Sequence, residues 1–108
     1  MKIKTQTLTG AALDWAVAKC EGLTQGQIAQ DAVNHGFYNP SRNWAQGGPI
    51  IEREGIMLEQ WKTTGHWQAA TELVPKVFTA ETPLIAAMRC YVASKLGDEV
   101  EVPDEVAA

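Results

Sequence analysis

Glu52, Arg53 and Glu54 set two carboxylates on either side of one guanidinium. In an extended chain alternate side chains point the same way, so Glu52 and Glu54 would share a face. Two neighbouring carboxylates can trade protons with a substrate or hold a divalent cation. A solvated segment with a local ion pair accounts for the same triplet without chemistry. Asp14, early in a predicted helix, is the third acid that could join them. Its plain role there is to complement the helix dipole.

The triplet closes a longer stretch, Asn43-Trp44-Ala45-Gln46-Gly47-Gly48-Pro49-Ile50-Ile51-Glu52-Arg53-Glu54-Gly55. It follows neither a helical nor a strand period, which predicts a loop, and loops carry sites on a rigid scaffold. Trp44 either stacks on a ligand or partner or plugs the space between helices. Gly47 and Gly48 could line up N–H groups for an anion, or permit a sharp left-handed turn. Pro49 removes the next donor and no Lys-Ser/Thr follows, so this is not a phosphate-binding P-loop. Trp44, Gln46, Gly47, Gly48 and Arg53 are the binding candidates, with Ile50 and Ile51 anchoring the base.

The scaffold is a chain of 108 residues, 45% apolar and 20% charged, with net charge −4. That length suits one domain with a core of its own, needing no metal or disulfide staple. The negative balance and scattered Lys and Arg argue against a nucleic-acid footprint. No apolar run is long enough to span a bilayer, and the N-terminus lacks a secretory signal. Cys20 and Cys90 read as reduced core thiols of a cytoplasmic protein. With His35 and His66 they show no zinc spacing, so no metal or cofactor is expected.

The elements follow from capping and period. Residues 1–8 alternate weakly, as a first strand or an extended lead-in. Thr9 caps a helix from Gly10 to Cys20 whose stripe is Leu13, Ala16, Val17 and Cys20, with Gly22 as its stop. Ile28, Ala29, Ala32 and Val33 share a helical face before Gly36, with a strand as the alternative. Leu23-Thr24-Gln25 opens faintly like a helix-turn-helix, but no basic second helix follows. Residues 56–62 and 66–72 read as a hairpin around Thr63-Thr64-Gly65, pairing Trp61 with Trp67 and Lys62 with His66. Residues 73–81, with Pro75, read as a connection. Thr82-Pro83 opens a helix that runs to Leu96 and ends at Gly97, with Arg89 and Lys95 solvated. Its stripe is Ile85, Met88, Val92 and Leu96, widened by Leu84 and Tyr91. In the acidic tail, 98–108, Val100 and Val102 lie against the domain and the last residues are disordered. The expected architecture is α+β: two main helices on a small antiparallel sheet that includes the 56–72 hairpin.

Three stretches together resemble a known family. They are Leu8-Thr9-Gly10-Ala11-Ala12-Leu13-Asp14-Trp15-Ala16-Val17-Ala18-Lys19-Cys20, Asn43-Trp44-Ala45-Gln46-Gly47-Gly48-Pro49-Ile50-Ile51-Glu52, and Thr82-Pro83-Leu84-Ile85-Ala86-Ala87-Met88-Arg89-Cys90-Tyr91-Val92. The chain is similar to the NinX-like family of small proteins from tailed bacteriophages and prophages, over nearly its whole length. The resemblance implies a phage or prophage origin and expression in bacterial cytoplasm. It implies no catalytic residues.

Three functional classes follow. The preferred one is a binding or accessory module that acts on a host or phage protein through residues 43–54. The second is a small enzyme using Glu52, Glu54 or Asp14. The third is a nucleic-acid-associated protein using Trp44, Arg42 and Arg53. A homo-oligomer is compatible with all three.

Overall fold

A computed structural model describes residues 1–23 and 27–107. The chain runs through β1 (Lys2–Lys4), a 3-10 turn (Thr5–Thr7), α1 (Gly10–Cys20), α2 (Gln27–Asn34), α3 (Trp44–Glu54), β2 (Met57–Gln60), β3 (Trp67–Thr71), β4 (Val74–Ala80), α4 (Pro83–Leu96), β5 (Glu99–Glu101) and α5 (Asp104–Ala107). Helices pack on two antiparallel sheets, an α+β fold.

The centre is α4. Thr82 Oγ1 accepts the Ile85 N–H at 3.2 Å, and Pro83 takes the first turn, where its missing donor costs nothing. The helix buries Leu84, Ala86, Ala87, Met88, Cys90, Tyr91 and Val92, which go almost all the way round it. The expected single stripe is therefore too narrow, because α4 lies between the sheet on one side and α1 and α3 on the others. Arg89, expected in solvent, is half-buried and bonds two backbone carbonyls. α1 has the expected bounds and buries Leu13, Ala16 and Val17. Thr9 has the extended backbone of a cap, but its hydroxyl makes no capping bond.

The three-stranded sheet has the order β2-β3-β4, both pairs antiparallel. Its inner face sets Ala69, Phe78 and Ala80 against α4, while Met57, Glu59, Val77 and Thr79 are exposed on the other. The hairpin is present with a register one residue from the expected one. Gln60 faces Trp67, and Trp61 donates to the His66 carbonyl at 2.9 Å. Gly65 N–H closes on the Trp61 carbonyl at 2.7 Å, so the turn holds Lys62 to Gly65 and the two indoles are not cross-strand partners. Gly65 is left-handed, as expected.

Residues 73–81 are not a plain connection, since β4 occupies most of them. β4 is a sheet edge with a register shift opposite Ala69 to Thr71, and an edge tolerates the missing donor of Pro75. The Gln6 side chain closes part of that edge by bonding Thr79 N and O at 3.2 and 3.0 Å.

The chain ends meet in a second sheet. β1 pairs with β5, Lys2 opposite Glu101 and Lys4 opposite Glu99, with Val100, Val102 and Val106 buried. Opposite charges across strands favour this register. Residues 27–34 are helical, with Val33 buried and Ala32 half-buried. The side chains of Ile28 and Ala29, and residues 24–26 of the helix-turn-helix comparison, lie outside the described residues.

Candidate functional site

The stretch expected to be a loop is helix α3. Asn43 Oδ1 accepts the Ala45 N–H at 2.9 Å, and Gly55 ends the helix in the left-handed region at φ 65°. Gly47 and Gly48 serve no left-handed turn. Gly47 is buried because α3 crosses the 37–42 segment there. A Cβ on Gly47 would lie 2.5 Å from Pro40 O and 2.6 Å from Leu84 Cδ2. Helix formation also removes the proposed anion cradle, since Gly47 N–H already bonds Asn43 O at 2.9 Å.

The helix divides the binding candidates. Trp44 is 55% exposed on the first turn, so it does not plug the space between helices. Gln46 faces inward: its Oε1 accepts the Asn39 N–H at 2.6 Å and its Nε2 donates to Phe37 O at 3.0 Å. Ile50 is buried and Ile51 packs on the core, as expected of anchors. Arg53 lies nine residues after Trp44, on the far side of the helix and roughly 13 Å along its axis. Glu52 and Glu54 point apart rather than together, since two residues turn a helix by about 200°.

Arg53 is spent on structure. Its Nη1 and Nη2 grip Glu21 at 3.1 and 2.6 Å, its Nε donates to Glu54 at 2.8 Å, and Nη2 also reaches the Tyr91 hydroxyl at 3.2 Å. Tyr91 in turn donates to Glu21 Oε2. Glu54 also faces Lys95 at 3.7 Å. The hydrogen bond from Arg53 holds the Glu21 carboxyl below its ordinary value against the effect of burial, and Tyr91 adds to it. Burial and the Glu21 carboxylate push the Tyr91 phenol up. The cluster ties the ends of α1 and α3 to α4.

Asp14 does more than complement the helix dipole. It is fully buried, and its Oδ1 accepts the Ser41 N–H at 2.9 Å. Its Oδ2 and Ser41 Oγ make no hydrogen bond, and Arg42 Nη2 stands 3.6 Å from Oδ2. Burial raises the Asp14 carboxyl above its ordinary value, while Ser41 and Arg42 oppose the rise. Asp14 thus fixes the segment leading into α3 and steers Arg42, whose side chain is 57% exposed.

Trp44 and Arg42 then share a shallow groove of about 240 Å3 with Ser41, Thr82, Pro83 and Ile85. The sequence offered Trp44 and Arg42 for it. The wall from the start of α4 was hidden, because Thr82-Pro83 reads fully as a helix cap.

Cys20 and Cys90 are free thiols, half-buried and buried. Among the described residues no group of three or more His, Cys, Asp or Glu is placed to hold a metal ion. No helix among them is long and apolar enough to cross a membrane.

A family model described as Bacteriophage P22, NinX matches residues 4–95. That span takes in α1, α3, the whole three-stranded sheet and all of α4 but its last residue. No curated protein matches the chain.

Proposed function

The chain belongs to the bacteriophage P22 NinX family, and from that premise we propose that it is a binding module, acting in the host cytoplasm on a host or phage protein through Trp44. The observation that carries this reading is the exposure of Trp44, 55%, on a helix that cannot easily move. Asn43 caps that helix, Gln46 grips the segment before it, Gly47 lies against Pro40, and Ile50 is buried. An indole presented on so fixed a backbone loses little entropy when it is covered. The groove beside it supplies apolar surface from Pro83 and Ile85 and one cation, Arg42. An aromatic anchor with an arginine nearby is a common centre of binding energy in protein interfaces.

The enzyme reading finds less support. Glu52 and Glu54 diverge, Glu54 is paired with Arg53 and Lys95, and Asp14 is sealed from solvent. The nucleic-acid reading loses Arg53 to Glu21.

The test is affinity purification of the tagged chain and its Trp44→Ala variant from infected cells, with mass spectrometry of what is retained. A partner held by the native chain should be lost or weakened by about 1–3 kcal/mol in the variant. Equal retention by both, with the variant folded, would show that Trp44 is not the contact.

A further inference from the structure

A second groove lies at the turn end of the three-stranded sheet, with Ile85 between it and the groove beside Trp44. One half, about 280 Å3, is lined by Trp61, Trp67, His66, Gln68 and Thr79. The other, about 400 Å3, is lined by Arg89, Glu81, Thr9, Gln6 and again His66 and Thr79. The halves therefore meet at His66 and Thr79. The first half is mostly carbon surface from flat rings, with Trp61 54% exposed. The second is polar and contains an arginine in an unusual setting.

Arg89 donates from Nε to Leu8 O at 2.8 Å and from Nη1 to Thr79 O at 2.7 Å. These bonds fix the plane of the guanidinium and bring no carboxylate within ion-pair distance of it. Arg89 has no ion pair among the described residues, although every other arginine has one. Burial pulls its pKa below the ordinary arginine value, and the nearby Glu81 carboxylate acts the other way. A half-buried, rigid guanidinium with no carboxylate bonded to it, and with Nη2 still free to donate, suits an anion with two or more oxygens.

We propose that this groove binds a nucleotide, its base stacked among Trp61, His66 and Trp67 and its phosphate on Arg89. Stacking on indoles tolerates any base, because each has a π-face. The combined groove has the size of an ordinary small-ligand site. Glu81 lines the same half, and its carboxylate can only accept, as from a hydroxyl, which the sugar supplies. The shared chemistry is a base carrying a phosphate, which a free nucleotide or one unit of a single strand can supply. The net charge of −4 favours the free nucleotide, since a strand brings further phosphates.

The experiment is an NMR titration of the 15N-labelled full chain, following the indole N–H signals. AMP should shift the Trp61 and Trp67 signals saturably, with a Kd of roughly 1 mM or tighter. Adenosine should bind at least about tenfold more weakly, because it leaves Arg89 unmatched. Trp61→Ala removes an exposed ring and should weaken AMP by about tenfold without unfolding the chain. Arg89→Lys keeps the charge but loses the fork, and should weaken AMP while hardly touching adenosine. A short oligoadenylate that binds more weakly per site than AMP supports the free nucleotide, and one that binds more tightly assigns the groove to a single strand. Saturation by neither, or equal affinity for adenosine and AMP, overturns the proposal.

Discussion

The carbonyl oxygen of Pro40 occupies the space that any side chain on Gly47 would need. A Cβ there would be 2.5 Å from it, and backbone cannot swing aside as a side-chain tip can. Gly48, the next residue, has nothing nearer than Trp44 Cε3 at 3.9 Å. Two adjacent helical glycines thus carry opposite instructions. Gly47→Ala should destabilise by about 1–3 kcal/mol through overpacking. Gly48→Ala should stabilise by about 0.5–1 kcal/mol, since it removes backbone freedom from the unfolded chain. Thermal unfolding of the two variants checks both signs.

That relationship also explains why α3 was illegible in the sequence. Gly-Gly-Pro is a poor helix by propensity, and the reason for Gly47 lies in a contact with Pro40 and Leu84 that no local window shows. α1 and α4 were legible to the residue because their signals are local: Thr82-Pro83, Gly97 and an Ala-rich run. β4 was hidden by Pro75, which an edge strand tolerates, and the hairpin register moved by one because its turn takes four residues. Of the candidate site, Trp44 was legible as a feature, but its separation from Arg53 depends on the helix. Arg89 was misplaced in solvent, since a charged residue on a helix reads as exposed until its buried partners are known, and the dipole role read for Asp14 left out its bond to Ser41.

Asp14 and Glu21 should pull the pH dependence of stability in opposite directions. The Asp14 pKa is raised by burial, so its contribution is present at low pH and is lost as pH rises through the folded value. Glu21 is lowered by Arg53, so its contribution is present above the ordinary carboxylate range and is lost as pH falls through its folded value. Relative to the native chain, Asp14→Asn should therefore gain stability as pH rises above the ordinary carboxylate range. Glu21→Gln should cost most near neutrality and converge on the native chain in acid. Urea unfolding from acid through neutral pH reads both differences, and parallel curves would contradict the assignment.

Tyr91→Phe should cost about 1–2 kcal/mol without disturbing the core, because the ring stays and only the hydroxyl goes. That hydroxyl donates to Glu21 and accepts from Arg53. A double-mutant cycle with Arg53→Ala should give a coupling well above zero, because the residues share Glu21. Additive losses would mean that the cluster does not act as a unit.

The thiols should be slow to react in the native state. Burial pushes Cys20 up to about 12 and Cys90 up to about 11, leaving little thiolate at neutral pH. A disulfide reagent added to unreduced protein in denaturant should find two free groups. The same reagent on the folded protein should label both far more slowly, Cys90 last. Finding no free thiol in denaturant would place a disulfide where the structure has none.

Trp44 and Trp15 should separate binding from stability. Trp15 is 8% exposed in α1, with Lys19 over its ring at 5.5 Å. Its replacement by Ala removes a large ring from the core, at about 3–5 kcal/mol. Trp44 stands at the first position of α3, where its ring forms one wall of a groove and comes within 3.9 Å of where a Cβ on Gly48 would lie. The cap is made by Asn43 and the anchoring by Ile50, so the helix does not depend on the indole. Trp44→Ala should then cost less than about 1 kcal/mol, in the range of exposed sites. Asn43→Ala should cost about 1 kcal/mol through the lost cap. A loss of about 3 kcal/mol or more on removing Trp44 would mean that its ring holds the fold, and its exposure would then need another explanation than partner contact.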